Sequence, residues 1–180
     1  MGSGPGAACS INLNTTLTPE QRALYQNTDT IRSLLRDART IAIVGLSADT
    51  QKASYFVGSY LQYEGFTVIP VNPRPVEILG RRAYPDLLSI PEKIDIVDIF
   101  RPSSEVSGIV DQAIAIKAGA VWMQLRISDF AAAQRARAAG LSVVIDKCIK
   151  MEHGRFGGSL HWAGMNTEII SARKPRPAAR

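Results

Sequence analysis

The sequence predicts an α/β protein built on a doubly wound, five-stranded parallel sheet in a single domain. Three observations carry that expectation. Short apolar runs alternate with segments of helical periodicity over residues 41–146. The runs are apolar on both faces, as strands covered by helices on both sides must be. Each run ends in a polar or cationic turn. A chain of 180 residues, 46% apolar and 21% charged, can bury one such core.

The elements follow in order. Thr18-Pro19-Glu20 and the Ile31-Leu34-Leu35 stripe predict one or two short helices covering an edge or end of the sheet. Ile41-Ala42-Ile43-Val44 is the first strand and stops at Gly45. Ala53, Phe56, Val57, Tyr60 and Leu61 keep i, i+3, i+4 spacing, with Gly65 placed to end their helix in the left-handed conformation. Residues 67–71 form the second strand, in which Pro70 predicts an early end or a bulge. Residues 94–100 are the third. Val106, Ile109, Val110, Ala113 and Ile114 mark the next helix, with Ser103 or Ser104 as cap and Gly119 as stop. Residues 120–123 are the fourth strand. An Ala-rich helix capped by Ser128 and closed by Gly140 leads to the fifth, residues 141–145. Right-handed crossovers turn this alternation into a parallel sheet. Residues 1–17 read as a flexible tail, 18–156 as the domain, and 157–180 as an extension ending in a basic, Pro-rich tail.

Composition narrows the function classes. The apolar runs are too short to cross a membrane, and the N-terminus lacks the basic start and apolar stretch of a secretory signal. Two cysteines, Cys9 and Cys148, make no disulfide framework, so a reducing cytoplasm is the expected compartment. Of the formal net charge of +5, Arg173, Lys174, Arg176 and Arg180 supply +4 in a segment without acids. The basic excess is therefore a tail, and nothing in the body points to nucleic acid.

In open α/β sheets ligands lie beyond the carboxyl ends of the strands. Those ends read Gly45-Leu46-Ser47, Asn72-Pro73-Arg74, Phe100-Arg101-Pro102, Gln124-Leu125-Arg126 and Asp146-Lys147-Cys148. Three Arg and one Lys on one edge suggest an anionic ligand. Gly45 lets backbone approach a phosphate, Ser47 offers a hydroxyl, and the helix starting near Ala53 aims its N–H groups there. Yet the turn is neither G-x-G-x-x-G, nor a P-loop, nor a nucleophile elbow. An NAD site places an acid at the second strand end; here Arg74 stands there, which suits a phosphorylated ribose and leaves NADP and coenzyme A.

Five segments then resemble one family: Ile41-Ala42-Ile43-Val44-Gly45-Leu46-Ser47, Val68-Ile69-Pro70-Val71-Asn72-Pro73, Asp98-Ile99-Phe100-Arg101, Val121-Trp122-Met123-Gln124, and Asp146-Lys147-Cys148-Ile149-Lys150-Met151-Glu152-His153. In order and spacing they resemble the CoA-binding domain family, small stand-alone, Rossmann-like relatives of the N-terminal domain of the succinyl-CoA synthetase alpha subunit. The resemblance implies strand order 3-2-1-4-5, with coenzyme A or an acyl-CoA across the strand tips. It implies that Gly45, Leu46 and Ser47 hold the diphosphate, with Ser54 at the helix start. Asn72, Pro73 and Arg74 would meet the adenosine end, Phe100 and Arg101 would flank the nucleotide and the start of the pantetheine arm, and Gln124 would face the arm. Two departures stand out: Lys52-Ala53 replaces the Arg-Pro frequent before the first helix, keeping the charge, and Arg126 replaces a preferred Gly after Gln-Leu.

The remaining chemistry-bearing residues have plainer readings. His153 and His161 lack neighbours at metal spacing except Glu152; His153 fits a hydrogen-bonding role in a closing helix. Asp95 and Asp98 fall on opposite strand faces and cannot pair, and Asp98 is expected half-buried on a loop amide. Cys148 reads as a small buried hydrophobe, or, beside Lys147, as a thiolate-prone residue. The leading function is a non-catalytic coenzyme A-binding carrier, sensor or regulatory module with an unknown protein partner, since the resembling ligases keep their phosphorylated His and second domain in sequence not found here. An NADP-dependent oxidoreductase is the alternative, but no Tyr-x-x-x-Lys occurs; a partner-docking scaffold with a vestigial cofactor site is the second.

Overall fold

The computed structural model describes residues 17–74 and 76–157. Helices α1 (Pro19–Tyr25) and α2 (Thr28–Asp37) come first. Then follow β1 (Thr40–Val44), α3 (Ala53–Tyr63), β2 (Thr67–Val71), the short strands β3 (Glu77–Ile78) and β4 (Arg81–Arg82), and β5 (Ile96–Ile99). The chain continues through α4 (Ser103–Ala115), β6 (Ala120–Met123), α5 (Phe130–Ala138), β7 (Ser142–Val144) and α6 (Ile149–Phe156). Among the described residues no helix is long and apolar enough to cross a membrane. Cys9, His161 and the basic tail lie outside the described residues.

The five-stranded parallel sheet forms as expected, covered on both faces. Ala42, Val44, Val97, Ile99, Val121 and Met123 pack against α1, α4 and α5. Ile41, Ile43, Ile96, Ala120 and Trp122 pack against α2, α3 and α6. Alternate residues of the strands serve opposite cores, so the buried strand positions are apolar, with Asp98 of β5 the exception among the described residues.

The strand order differs from the expected 3-2-1-4-5. The sheet runs β2-β1-β5-β6-β7, which in order of the five main strands is 2-1-3-4-5. Pro70 supplies the physical reason. Its carbonyl points away from β1 and accepts from the Tyr84 N–H at 2.9 Å, so a further strand on that side would face a residue with no N–H to donate. Proline is tolerated on an edge strand, and β2 is that edge. The Tyr84 segment covers it, with the Asn72 N–H donating to the Tyr84 carbonyl at 2.8 Å. The third strand, β5, is fully buried and pairs with β1 instead. No bulge is needed.

Helix ends mostly follow local chemistry. Thr18 and Gln21 form a reciprocal capping box at α1, and Gly65 and Gly140 take positive φ after α3 and α5. Two assignments change. The N-cap of α4 is Pro102, without a side-chain cap hydrogen bond, and the helix stops at Lys117 in the left-handed region rather than Gly119; Ser103 Oγ instead accepts from the Ser128 N–H at 3.1 Å. The cap of α5 is Asp129, accepting from the Ala132 N–H at 2.9 Å, and not Ser128. Asp129→Ala is accordingly expected to cost about 1 kcal/mol and Ser128→Ala much less, read by urea unfolding; equal costs would show that the Asp129 cap is not what holds the helix start.

Candidate functional site

With strand order 2-1-3-4-5 the chain reverses its direction of winding between β1 and β5, and the crevice at such a switch point is where open α/β sheets bind ligands. Gly45 leaves β1 there at φ 89°. A Cβ at Gly45 would lie 2.8 Å from Arg101 Cδ and 3.2 Å from the Phe100 carbonyl oxygen. Only glycine allows both that dihedral and that approach. The Gly45 N–H donates to the Val71 carbonyl at 2.9 Å, and the Phe100 N–H to the Val44 carbonyl at 2.9 Å, so three strand ends are knitted at one point.

The loop after Gly45 is organised from within. Leu46 is fully buried against α3, so only its backbone faces the edge. Ser47 donates its N–H to Ser54 Oγ at 3.1 Å, and its own hydroxyl oxygen accepts from the Asp49 N–H at 3.0 Å. Ser54 is buried. Lys52 is exposed at the N-cap of α3 and makes no side-chain cap hydrogen bond, which leaves the first-turn N–H groups open among the described residues. The loop and helix start thus form a donor-rich concavity.

At the end of β2, Asn72 acts as a latch. Its amide nitrogen donates to the Leu46 carbonyl at 2.9 Å and its amide oxygen accepts from the Arg74 N–H at 3.0 Å. Pro73 and Arg74 are exposed and border a cleft of about 520 Å³ whose other wall includes Arg81, Arg82 and Tyr84. The sequence reading missed this wall. Its signal was Leu79-Gly80, a turn with φ 54° and 75° joining β3 to β4. Positive φ at both central residues is hairpin geometry ordinarily announced by Asn-Gly or Asp-Gly, and leucine hid it.

Two expected ligand contacts are engaged elsewhere. Arg101 holds Glu105 with both arms, Nε to Oε2 at 2.8 Å and Nη2 to Oε1 at 2.7 Å. That hydrogen bonding raises the guanidinium pKa and lowers that of the Glu105 carboxyl. Phe100 is half-buried against the α3 core. Gln124 is buried, its amide nitrogen donating to Asp98 Oδ1 at 2.8 Å.

Asp98 is itself a correction, being completely buried rather than half-buried and held by Gln124 rather than a loop amide. Its Oδ2 has no hydrogen-bond partner among the described residues. Burial pushes its pKa up to about 8, opposed by the Gln124 hydrogen bond. Cys148 is partly buried, and burial, with Asp98 nearby, raises its thiol pKa. Lys147, expected to favour a thiolate, instead has its Nζ 3.4 Å from Glu152 Oε1.

Arg126 explains its own departure from the family pattern. It sits at φ 64°, the left-handed region that favours glycine, and its N–H donates to Asp146 Oδ1 at 2.7 Å. His153 is buried, with Nδ1 3.0 Å from Tyr60 Oη; burial lowers its pKa and, as the main cause, pushes that of Tyr60 up to about 12. Among the described residues no group of three or more His, Cys, Asp or Glu is placed to hold a metal ion.

Known proteins share this architecture. An uncharacterized Bacillus subtilis protein, YneT, is 35% identical over 123 residues, 68% of this chain and 91% of that protein. A hypothetical protein of Pyrococcus horikoshii superposes with a TM-score of 0.70 at 38% identity, covering 72% of this chain and 91% of its own. The alpha subunit of an ADP-forming acetate–CoA ligase of Pyrococcus furiosus is 39% identical over 69 residues, which are 38% of this chain and 15% of the ligase subunit. The family model for the CoA binding domain matches residues 39–154, from the start of β1 through most of α6, and the chain belongs to that CoA-binding domain family.

Proposed function

We propose that the protein binds coenzyme A or an acyl-CoA across the tips of β2, β1 and β5 and past β6, as a carrier, sensor or regulatory module without chemistry of its own. The observation that carries this reading is the Gly45 turn. It stands at the switch point with positive φ, against Phe100 and Arg101 and beside the uncapped start of α3. A diphosphate there meets backbone donors and the positive end of a helix dipole.

In this reading Gly45, Leu46 and Ser47 present backbone to the diphosphate, Ser54 holds the Ser47 amide in place, and Lys52 adds charge. Asn72 shapes the bend that sends Pro73 and Arg74 toward the adenosine end. Arg101, tied to Glu105, flanks the ligand with its stem, and Phe100 walls the start of the arm. Gln124, tied to Asp98, forms the floor under the arm. Support comes from family membership and from the ligase relative, whose name includes coenzyme A and of which this chain matches 15%.

Coenzyme A at a hundredfold excess over its dissociation constant is expected to stabilise the fold by about 2.7 kcal/mol, a rise of roughly 5–10 °C in Tm. NADP is expected to raise it less. Differential scanning fluorimetry decides: an equal or larger shift with NADP, joined by hydride transfer to an aldehyde, would establish the oxidoreductase instead. Native mass spectrometry of protein purified without added ligand gives a second check, through a retained coenzyme A mass.

A further inference from the structure

We infer that Arg81 and Arg82, opposite Arg74, form a phosphomonoester subsite that selects ligands carrying a phosphate on the adenosine ribose. The inference rests on the coenzyme A reading and adds to it two residues and a selectivity.

Arg32, Arg36, Arg101, Arg135 and Arg155 each sit within 4.0 Å of a carboxylate, on Asp29, Asp37, Glu105, Asp111 and Glu152. Arg22 and Arg39 donate to backbone carbonyls and Arg137 lies over the Tyr25 ring, while Arg126 stands apart without an ion pair among the described residues. Arg74, Arg81 and Arg82 also have no ion pair among the described residues, and what sets these three apart is that they border one cleft. Glu77 stands opposite Arg82 in the hairpin register without pairing to it. Three guanidinium groups around a concavity repel one another, and the arrangement suits an anion with several acceptor oxygens.

The cleft is also the right shape of environment for the rest of a phosphorylated nucleoside. Pro70, Pro73 and Tyr84 line it together with the three arginines, giving apolar walls with cations among them. A volume of about 520 Å³ lies in the range of small-ligand sites. The cationic wall is held in place: the Tyr84 N–H donates to the Pro70 carbonyl at 2.9 Å, and the Ala83 N–H to the Val76 carbonyl at 2.8 Å. Arg81 and Arg82 are thereby fixed beside the end of β2, where the adenosine is proposed to lie. Neighbouring strand residues point to opposite sides, so the two arginines contribute unequally.

The test compares coenzyme A with 3′-dephospho-coenzyme A, and adenosine 3′,5′-bisphosphate with adenosine 5′-monophosphate, by isothermal titration calorimetry on the full chain. The wild type is expected to prefer the 3′-phosphorylated member of each pair by tenfold or more. Arg81→Gln/Arg82→Gln, which keeps the length of both exposed side chains, is expected to reduce that preference to about twofold while leaving 3′-dephospho-coenzyme A affinity within twofold. The single variants apportion the effect. A wild type that binds both coenzymes equally overturns the subsite and leaves the coenzyme A reading standing; one that binds neither overturns both. A double variant that keeps the tenfold preference, or loses affinity equally for both members of a pair, overturns the role of Arg81 and Arg82.

Discussion

Gly45→Val is expected to weaken coenzyme A binding on the order of a hundredfold, about 2.7 kcal/mol. Two effects act together. The new Cβ would lie 2.8 Å from Arg101 Cδ and 3.2 Å from the Phe100 carbonyl, so the loop must move away from β5. The φ of 89° is also one that a β-branched residue avoids, so the turn itself opens. The diphosphate then loses its approach to backbone and to the start of α3. Stability should fall by roughly 1–3 kcal/mol, which a domain with a typical 5–15 kcal/mol survives. Calorimetric titration with coenzyme A, alongside urea unfolding of the same sample, separates the two losses. Normal affinity in a destabilised variant would mean that the phosphates are not cradled at Gly45.

Asp98→Asn is expected to raise stability at pH 8 by a few kcal/mol and to flatten its dependence on pH. Asp98 is fully buried, and burial pushes its pKa up to about 8 in the folded state from the ordinary carboxyl value of 3.8. Between those values the folded protein holds a proton that the unfolded chain has released. The contribution of Asp98 is therefore fully present below about pH 4, declines as pH rises, and levels off above about pH 8. Asparagine keeps the oxygen that accepts from Gln124 Nε2 and removes the charge. Urea unfolding from pH 5 to pH 9 should show wild type and variant diverging with rising pH. Parallel profiles would mean that Asp98 ionises normally. Because asparagine keeps the oxygen that holds Gln124 in place, coenzyme A affinity should change far less than stability does.

Much of this was legible in the residues. The five main strands, the helices between them and the glycines that stop α3 and α5 follow from periodicity and turn chemistry, which are local. Gly45 stood out as the backbone turn at the first strand end for the same reason. Family membership was legible because its motifs run in order along most of the domain.

The rest depended on which segments meet. The strands are similar apolar runs, so their order could not be read from any one of them; the outward carbonyl of Pro70, covered by Tyr84, makes β2 an edge, and β5 then completes the switch point beside Gly45. The same packing engages side chains that looked free in the sequence: Glu105 takes Arg101 and Asp98 takes Gln124. It also leaves three arginines without an ion pair among the described residues, around a cleft that no local pattern announced. The amino-acid sequence by itself determined the elements, the Gly45 turn and the family, because each depends on neighbours along the chain. Strand order, the buried Asp98 and the pairing or freedom of each arginine were decided only in the tertiary structure, because they depend on groups brought together from distant positions, where burial and the nearest partner set the charge.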